Sequence, residues 1–186
     1  MASKELINPV IILIIGTNDD CYHNGRKRLR KEYDWKKLAD KLGCSFLEGD
    51  DFHPAENIAK MKNGIPLTDQ DRLPWLKKIS EKCAHENNIG NNLVVACSAL
   101  KKQYRLILNS AQNYELVHLF GDLKTIRQRM STRTHFMPIK LIESQFEALE
   151  PPTIEENAIA TEINLPIEDL VDKIALELTN RQPLLK

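Results

Sequence analysis

The chain has 186 residues, 42% of them hydrophobic and 28% charged. That is one domain of ordinary globular composition, which excludes a disordered chain, a collagen-like fibre and a large membrane bundle. Lysine plus arginine total 26 and aspartate plus glutamate total 26, so the formal net charge is zero and nothing global points to nucleic acid or an acidic membrane as a partner.

The run Pro9 to Gly16 is β-branched and apolar on both faces, which predicts a central strand of a parallel sheet. It is too short to span a bilayer, and no secretory signal is expected at the N-terminus. A cytoplasmic protein is the default expectation. Asp34 to Leu42 reads as an amphipathic helix closed by Gly43 at C′. A second strand fits Cys44 to Leu47. Ala55 to Lys62 reads as a helix stopped by Asn63-Gly64. Thr68 to Asp71 reads as the N-terminal cap of a long helix running to about Asn87, with Pro74 accommodated only in its first turn. Further strands fit Leu93–Cys97, Leu116–Phe120 and Ala158–Ile163. Further helices fit Lys101–Asn109, Leu123–Met130, Ile139–Leu149 and Ile167–Leu178. Strands alternating with helices predict a doubly wound α/β layer structure. Cys21, Cys44, Cys83 and Cys97 form no C-x-x-C pair and read as free, buried or half-buried thiols in a reducing compartment.

In such a sheet, ligands bind beyond the carboxyl ends of the strands, so the segments that follow each strand carry the functional candidates. After the first strand, Gly16-Thr-Asn-Asp-Asp-Cys21 stands where a phosphate loop would sit, but the pattern G-x-x-x-x-G-K-[ST] is absent from the chain. The segment reads either as a degenerate phosphate site or as an ordinary strand-to-helix loop. After the second strand, Asp50, Asp51 and His53 suit acid–base work or a Mg²⁺ site, or equally a helix cap ahead of Pro54. After the third, Ser98 can cap a helix whose start carries Lys101 and Lys102, with Arg105 a turn later. Cations there oppose the helix dipole unless an anion is held among them, and a solvated basic face is the competing reading. After the fourth, Arg127, Arg129 and Arg133 either clamp phosphoryl oxygens or form a solvated face.

Taken together, Leu47-Glu-Gly-Asp-Asp-Phe-His-Pro54, Thr68-Asp-Gln-Asp-Arg-Leu-Pro-Trp-Leu76, Ala96-Cys-Ser-Ala-Leu-Lys-Lys102, His135-Phe-Met-Pro138 and Gln145-Phe-Glu-Ala-Leu-Glu-Pro-Pro152 resemble the gluconokinase family of small P-loop kinases. The match runs from about residue 38 to the C-terminus. The resemblance implies a single P-loop kinase-like domain of three layers: a five-stranded parallel sheet in the order 2-3-1-4-5, helices on both faces, and a small lid at about residues 127–140. It implies transfer of the ATP γ-phosphate, with Mg²⁺, to the 6-hydroxyl of D-gluconate. No nucleic-acid or membrane partner is implied, and a homodimer would be unsurprising. By the same resemblance, Asp50 approaches the acceptor hydroxyl. Asp51 and His53 shape the sugar-acid pocket. Arg72 and Lys101 meet the carboxylate or the moving phosphate, with Arg105 a weaker candidate for the same task. Arg129 and Arg133 neutralise the phosphoryl group from the lid, Gly16 and Thr17 begin the nucleotide site, and Pro151 borders adenine.

The chain departs from the family where the phosphate loop should be. The family reads like G-V-S-G-S-G-K-S-T at that place, and Thr17 to Lys37 stand there instead. Losing two or three charge-assisted bonds costs on the order of several kcal/mol, or thousands-fold in rate. Arg26-Lys-Arg-Leu-Arg-Lys31 can substitute a cation but not a preorganised nest of amides. Three explanations stand: an altered segment such as a splice variant or mispredicted exon, an active kinase with an unorthodox loop, and a non-catalytic relative that binds a sugar acid or a partner protein.

Overall fold

A computed structural model describes residues 11–15, 35–109, 114–121 and 139–181. Five parallel strands form one sheet: β1 (Ile11–Ile15), β2 (Ser45–Glu48), β3 (Leu93–Ala96), β4 (Tyr114–Phe120) and β5 (Ile159–Glu162). Their order is β2-β3-β1-β4-β5, the order the family resemblance implied. β1 sits between β3 and β4, with Leu13 opposite both Val95 and Leu116. The helices are α1 (Trp35–Leu42), α2 (Ala55–Lys62), α3 (Asp69–Asn88), α4 (Lys102–Asn109), α5 (Ile139–Ala148) and α6 (Ile167–Arg181). The expected helix over Leu123–Met130 and most of the expected lid lie outside the described residues, as does Cys21.

Successive strand residues point to opposite faces, so a strand covered on both sides must be apolar throughout. β3 shows this directly. Val94 and Ala96 join a core with Trp35, Leu38, Leu42, Leu170, Ile174 and Leu178 from α1 and α6. Leu93, Val95 and Cys97 join a second core with Trp75, Leu76, Ile79, Tyr104 and Leu108 from α3 and α4. β5, at the sheet edge, alternates buried and exposed residues instead. Cys44, Cys83 and Cys97 are free thiols. Burial pushes Cys44 up to about 11 and Cys83 up to about 12, so both stay protonated.

The helix ends follow local chemistry. Gly43 takes a left-handed φ of 64°, and Cys44 N–H reaches back to the Ala39 carbonyl at 2.8 Å, closing α1 in a Schellman turn. Thr68 Oγ1 accepts from Asp71 N–H at 3.2 Å while Asp71 Oδ2 accepts from Thr68 N–H at 2.9 Å, the reciprocal capping box at the start of α3. Pro74 departs from expectation. It is the sixth residue of α3 and lies inside the helix, past the first turn. Its ring removes the N–H that would serve the Gln70 carbonyl. The next two residues, Trp75 and Leu76, are almost fully buried, and their packing holds the helix together.

The start of α4 also differs from the expected Ser98 cap. Lys102 N–H donates to Glu150 Oε2 at 2.7 Å, so the cap comes from the segment after α5. Arg105 belongs to the same junction. It is 1% exposed and meets Glu156 through two bonds of 2.6 and 2.9 Å. Its Nη1 donates to the carbonyls of Leu100 and Glu150 at 3.1 and 3.0 Å. All three guanidinium nitrogens thus have partners within the chain. Removing one partner of a buried pair strands the other, so Arg105→Leu should lower unfolding free energy by about 3–5 kcal/mol in urea denaturation.

Candidate functional site

The segment after β2 is a 3-10 turn, Gly49–Phe52, laid against the end of β3. Only glycine fits at its first position, because a Cβ on Gly49 would stand 2.6 Å from the Ala96 carbonyl oxygen. The Gly49 carbonyl accepts from the buried Trp75 indole Nε1 at 2.7 Å. The turn is thereby bound to β3 below and to α3 beside it, and it carries Asp50 and Asp51.

His53 follows the turn. Its ring stacks on Trp75 with centroids 4.2 Å apart and planes 16° from parallel. Its Nδ1 lies 3.3 Å from Asn57 Nδ2, and its Nε2 lies 3.9 Å from Asp50 Oδ1, too far for a direct hydrogen bond. Burial, helped by the nearby Arg72 charge, brings the imidazole down to about 4, so it is neutral at physiological pH. Its approach to Asp50 is therefore not an ion pair under those conditions.

Asp50, His53, Arg72, Trp75, Ser98 and Gln145 line one pocket at the carboxyl ends of β2 and β3. Arg72 enters it from α3, its Nη1 donating to the Leu67 carbonyl and its guanidinium carbon 5.8 Å from the centroid of the Tyr104 ring. Three of the residues singled out in the sequence, Asp50, His53 and Arg72, thus meet at one place. The other described candidates do not line it. Asp51 and Pro151 are exposed and are not among the residues lining the pocket. Lys101 turns to Asp69, with Nζ 2.8 and 3.0 Å from the two carboxylate oxygens. Gln103 at 3.0 Å and the Tyr104 hydroxyl donate to the same carboxylate. The Lys101 and Tyr104 hydrogen bonds, with smaller help from Gln103, hold the Asp69 carboxyl down at about 2. The anion expected among the basic residues at the start of α4 is therefore supplied by the chain itself. Gly16, Thr17, Arg129 and Arg133 lie outside the described residues.

Sequence reasoning passed over Asn57, Trp75, Ser98 and Gln145 as site residues. Asn57 is 3% exposed, and its Nδ2 also donates to the Asp71 backbone carbonyl at 2.8 Å. The signal that could have found it is a polar residue in the first turn of α2, four residues after His53. Among the described residues, no group of three or more His, Cys, Asp or Glu is placed to hold a metal ion.

His53 gives the fold a pH dependence of definite sign. Its folded-state value is about 4 against 6.5 for the free side chain, so between those limits the unfolded chain binds more protons and stability rises with pH. The full effect is on the order of 3 kcal/mol. His118 is also lowered by burial and shares the window, so the difference between chains isolates His53. His53→Asn should flatten the rise in unfolding free energy between pH 4 and 6.5, read by urea denaturation at several pH values. An unchanged slope would contradict a neutral, buried His53.

No family model matches the chain. It is 44% identical over 140 residues to "Thermosensitive gluconokinase" of Escherichia coli K12, covering 74% of this chain and 75% of that protein. It is 40% identical over 167 residues to "Probable gluconokinase" of Xenopus tropicalis, covering 81% of this chain and 88% of that protein. The crystal structure of a gluconokinase from Sinorhizobium meliloti superimposes with a TM-score of 0.77 at 33% identity, covering 96% of each chain. The parallel sheet with helices on both faces is the P-loop kinase-like arrangement. Identity at this level across most of both chains leaves one conclusion: this chain belongs to the gluconokinase family.

Proposed function

We infer that the pocket is the acceptor site for ATP-dependent phosphorylation of D-gluconate to 6-phospho-D-gluconate. The observation that carries this reading is the meeting of Asp50, His53 and Arg72 around one pocket at the strand ends. An acid, a neutral hydrogen-bonding ring and a fixed cation suit a molecule with many hydroxyls and one carboxylate. The names of the curated relatives support the same substrate.

In the reaction, the 6-hydroxyl oxygen attacks the γ-phosphorus of ATP. The new O–P bond forms as the bond to the β–γ bridging oxygen breaks, ADP leaves, and the hydroxyl proton passes to the Asp50 carboxylate. Arg72 pairs with the substrate carboxylate, and its bond to the Leu67 carbonyl fixes its direction. Lys101, released from Asp69, and Arg129 and Arg133 of the lid at about residues 127–140 supply positive charge to the moving phosphoryl group. Gly16 and Thr17 begin the nucleotide side and Pro151 borders adenine. Mg²⁺, brought with ATP, would neutralise negative charge during the transfer.

The same reading makes this chain a slow kinase, because no G-x-x-x-x-G-K-[ST] follows Gly16. A coupled assay for 6-phosphogluconate should find turnover down by about a thousandfold or more relative to a version carrying G-V-S-G-S-G-K-S-T in that place. Two inactive proteins would refute the assignment. In the restored version, Asp50→Asn should lower kcat by about 10²–10⁴-fold with the KM for ATP unchanged. A loss below tenfold would remove Asp50 from the proton's path.

A further inference from the structure

We propose that Asn57 is a positioning residue that holds His53 as its Nε2–H tautomer, so that the pocket offers an N–H donor 3.9 Å from the Asp50 carboxylate to a single hydroxyl of the sugar acid. The substrate half of this statement rests on the gluconokinase reading, whereas the tautomer does not.

The argument begins with the amide of Asn57. The Asp71 backbone carbonyl can only accept, and the Asn57 atom 2.8 Å from it must therefore be the NH₂ nitrogen. That same nitrogen lies 3.3 Å from His53 Nδ1. Its second hydrogen needs a lone pair there, so Nδ1 is the unprotonated nitrogen of the ring. A neutral imidazole carries one N–H, which must then sit on Nε2. Burial and the Arg72 charge keep the ring neutral, in agreement with this assignment. The stack on Trp75 fixes the ring plane.

Nε2 and Asp50 Oδ1 are too far apart to bond each other, and both residues line the pocket. A hydroxyl oxygen at ordinary hydrogen-bond distance from each would accept from Nε2–H and donate to the carboxylate. An aldehyde or ketone oxygen at that spot could only accept, and would meet the carboxylate unpaired. The pair thus reads an alcohol, and Asn57 sets its polarity without touching the ligand.

The competing role for Asn57 is purely structural, tying α2 to α3 through the Asp71 carbonyl. Histidine ring ¹⁵N NMR on the ligand-free chain at pH 7 separates the two. The expected result is His53 with Nε2 protonated and Nδ1 bare. Asn57→Asp, which cannot donate to Nδ1, should move the proton to Nδ1. Should that variant fail to fold, Asn57→Ala, which removes the donor without adding charge, should yield a mixture of both tautomers. An Nδ1–H ring in the parent chain, or an unchanged Nε2–H ring in the folded variants, overturns the proposal. Calorimetry with D-gluconate on the loop-restored version should then show affinity falling about tenfold in Asn57→Asp, which leaves Nε2 without its proton and costs one well-placed hydrogen bond, and about twofold in Asn57→Ala, where an even mixture leaves half the rings competent. Unchanged affinity defeats the substrate half. If the loop-restored parent does not bind D-gluconate at all, the gluconokinase reading falls while the tautomer assignment is decided by the NMR alone.

Discussion

The indole of Trp75 is the contact on which the site depends. Its N–H holds the Gly49 carbonyl, and its face carries the His53 ring. Trp75 is itself 1% exposed in the core between the sheet and α3. A loop that would otherwise be free to sample many conformations is therefore pinned to the best-packed part of the molecule. Ordering a residue costs about 1–2 kcal/mol of backbone entropy, and a single buried indole bound at both edge and face offsets roughly one residue's worth of it.

The neighbouring elements extend the same logic. Asp71 shows how much one short segment can carry. Its side chain closes the capping box with Thr68 and pairs with Lys60 at 2.7 Å, while its backbone carbonyl receives Asn57. The start of α3 is thus tied to α2 at two points, and Asn57 is tied to His53 in turn. On the other side of the pocket, Asp69 gathers Lys101, Gln103 and Tyr104 at the start of α4. Glu150 caps α4, and Glu156 buries Arg105. Basic residues that look in sequence like a row of phosphate ligands are largely neutralised by the chain's own carboxylates. The zero net charge of the chain has a local counterpart here.

Much of the fold was legible in the sequence because each element announces itself locally. The apolar runs of β1 and β3, the Thr68–Asp71 cap and the Gly43 stop all depend on residues within one turn of each other. Pro74 was read too strictly, since packing of Trp75 and Leu76 outweighs one lost backbone bond. The candidate site was legible only in part. Asp50, His53 and Arg72 stand at strand and helix ends where topology brings ligands. Arg105 has the same composition signal as Arg72, yet its partners Glu150 and Glu156 are 45 and 51 residues away, and no spacing rule reveals them.

By itself the sequence determined the alternation of strands and helices, the caps, the family and the missing phosphate-loop pattern, because all of these are written in short contiguous stretches. Only the tertiary structure decided which cations face the pocket and which are spent on buried carboxylates. It also decided which groups surround the two nitrogens of His53 and why Gly49 admits no side chain. Those properties depend on contacts such as Arg105 with Glu156 at 2.6 Å and Asn57 with the Asp71 carbonyl at 2.8 Å, between residues far apart in the chain, and such distances are set by packing, not by local pattern.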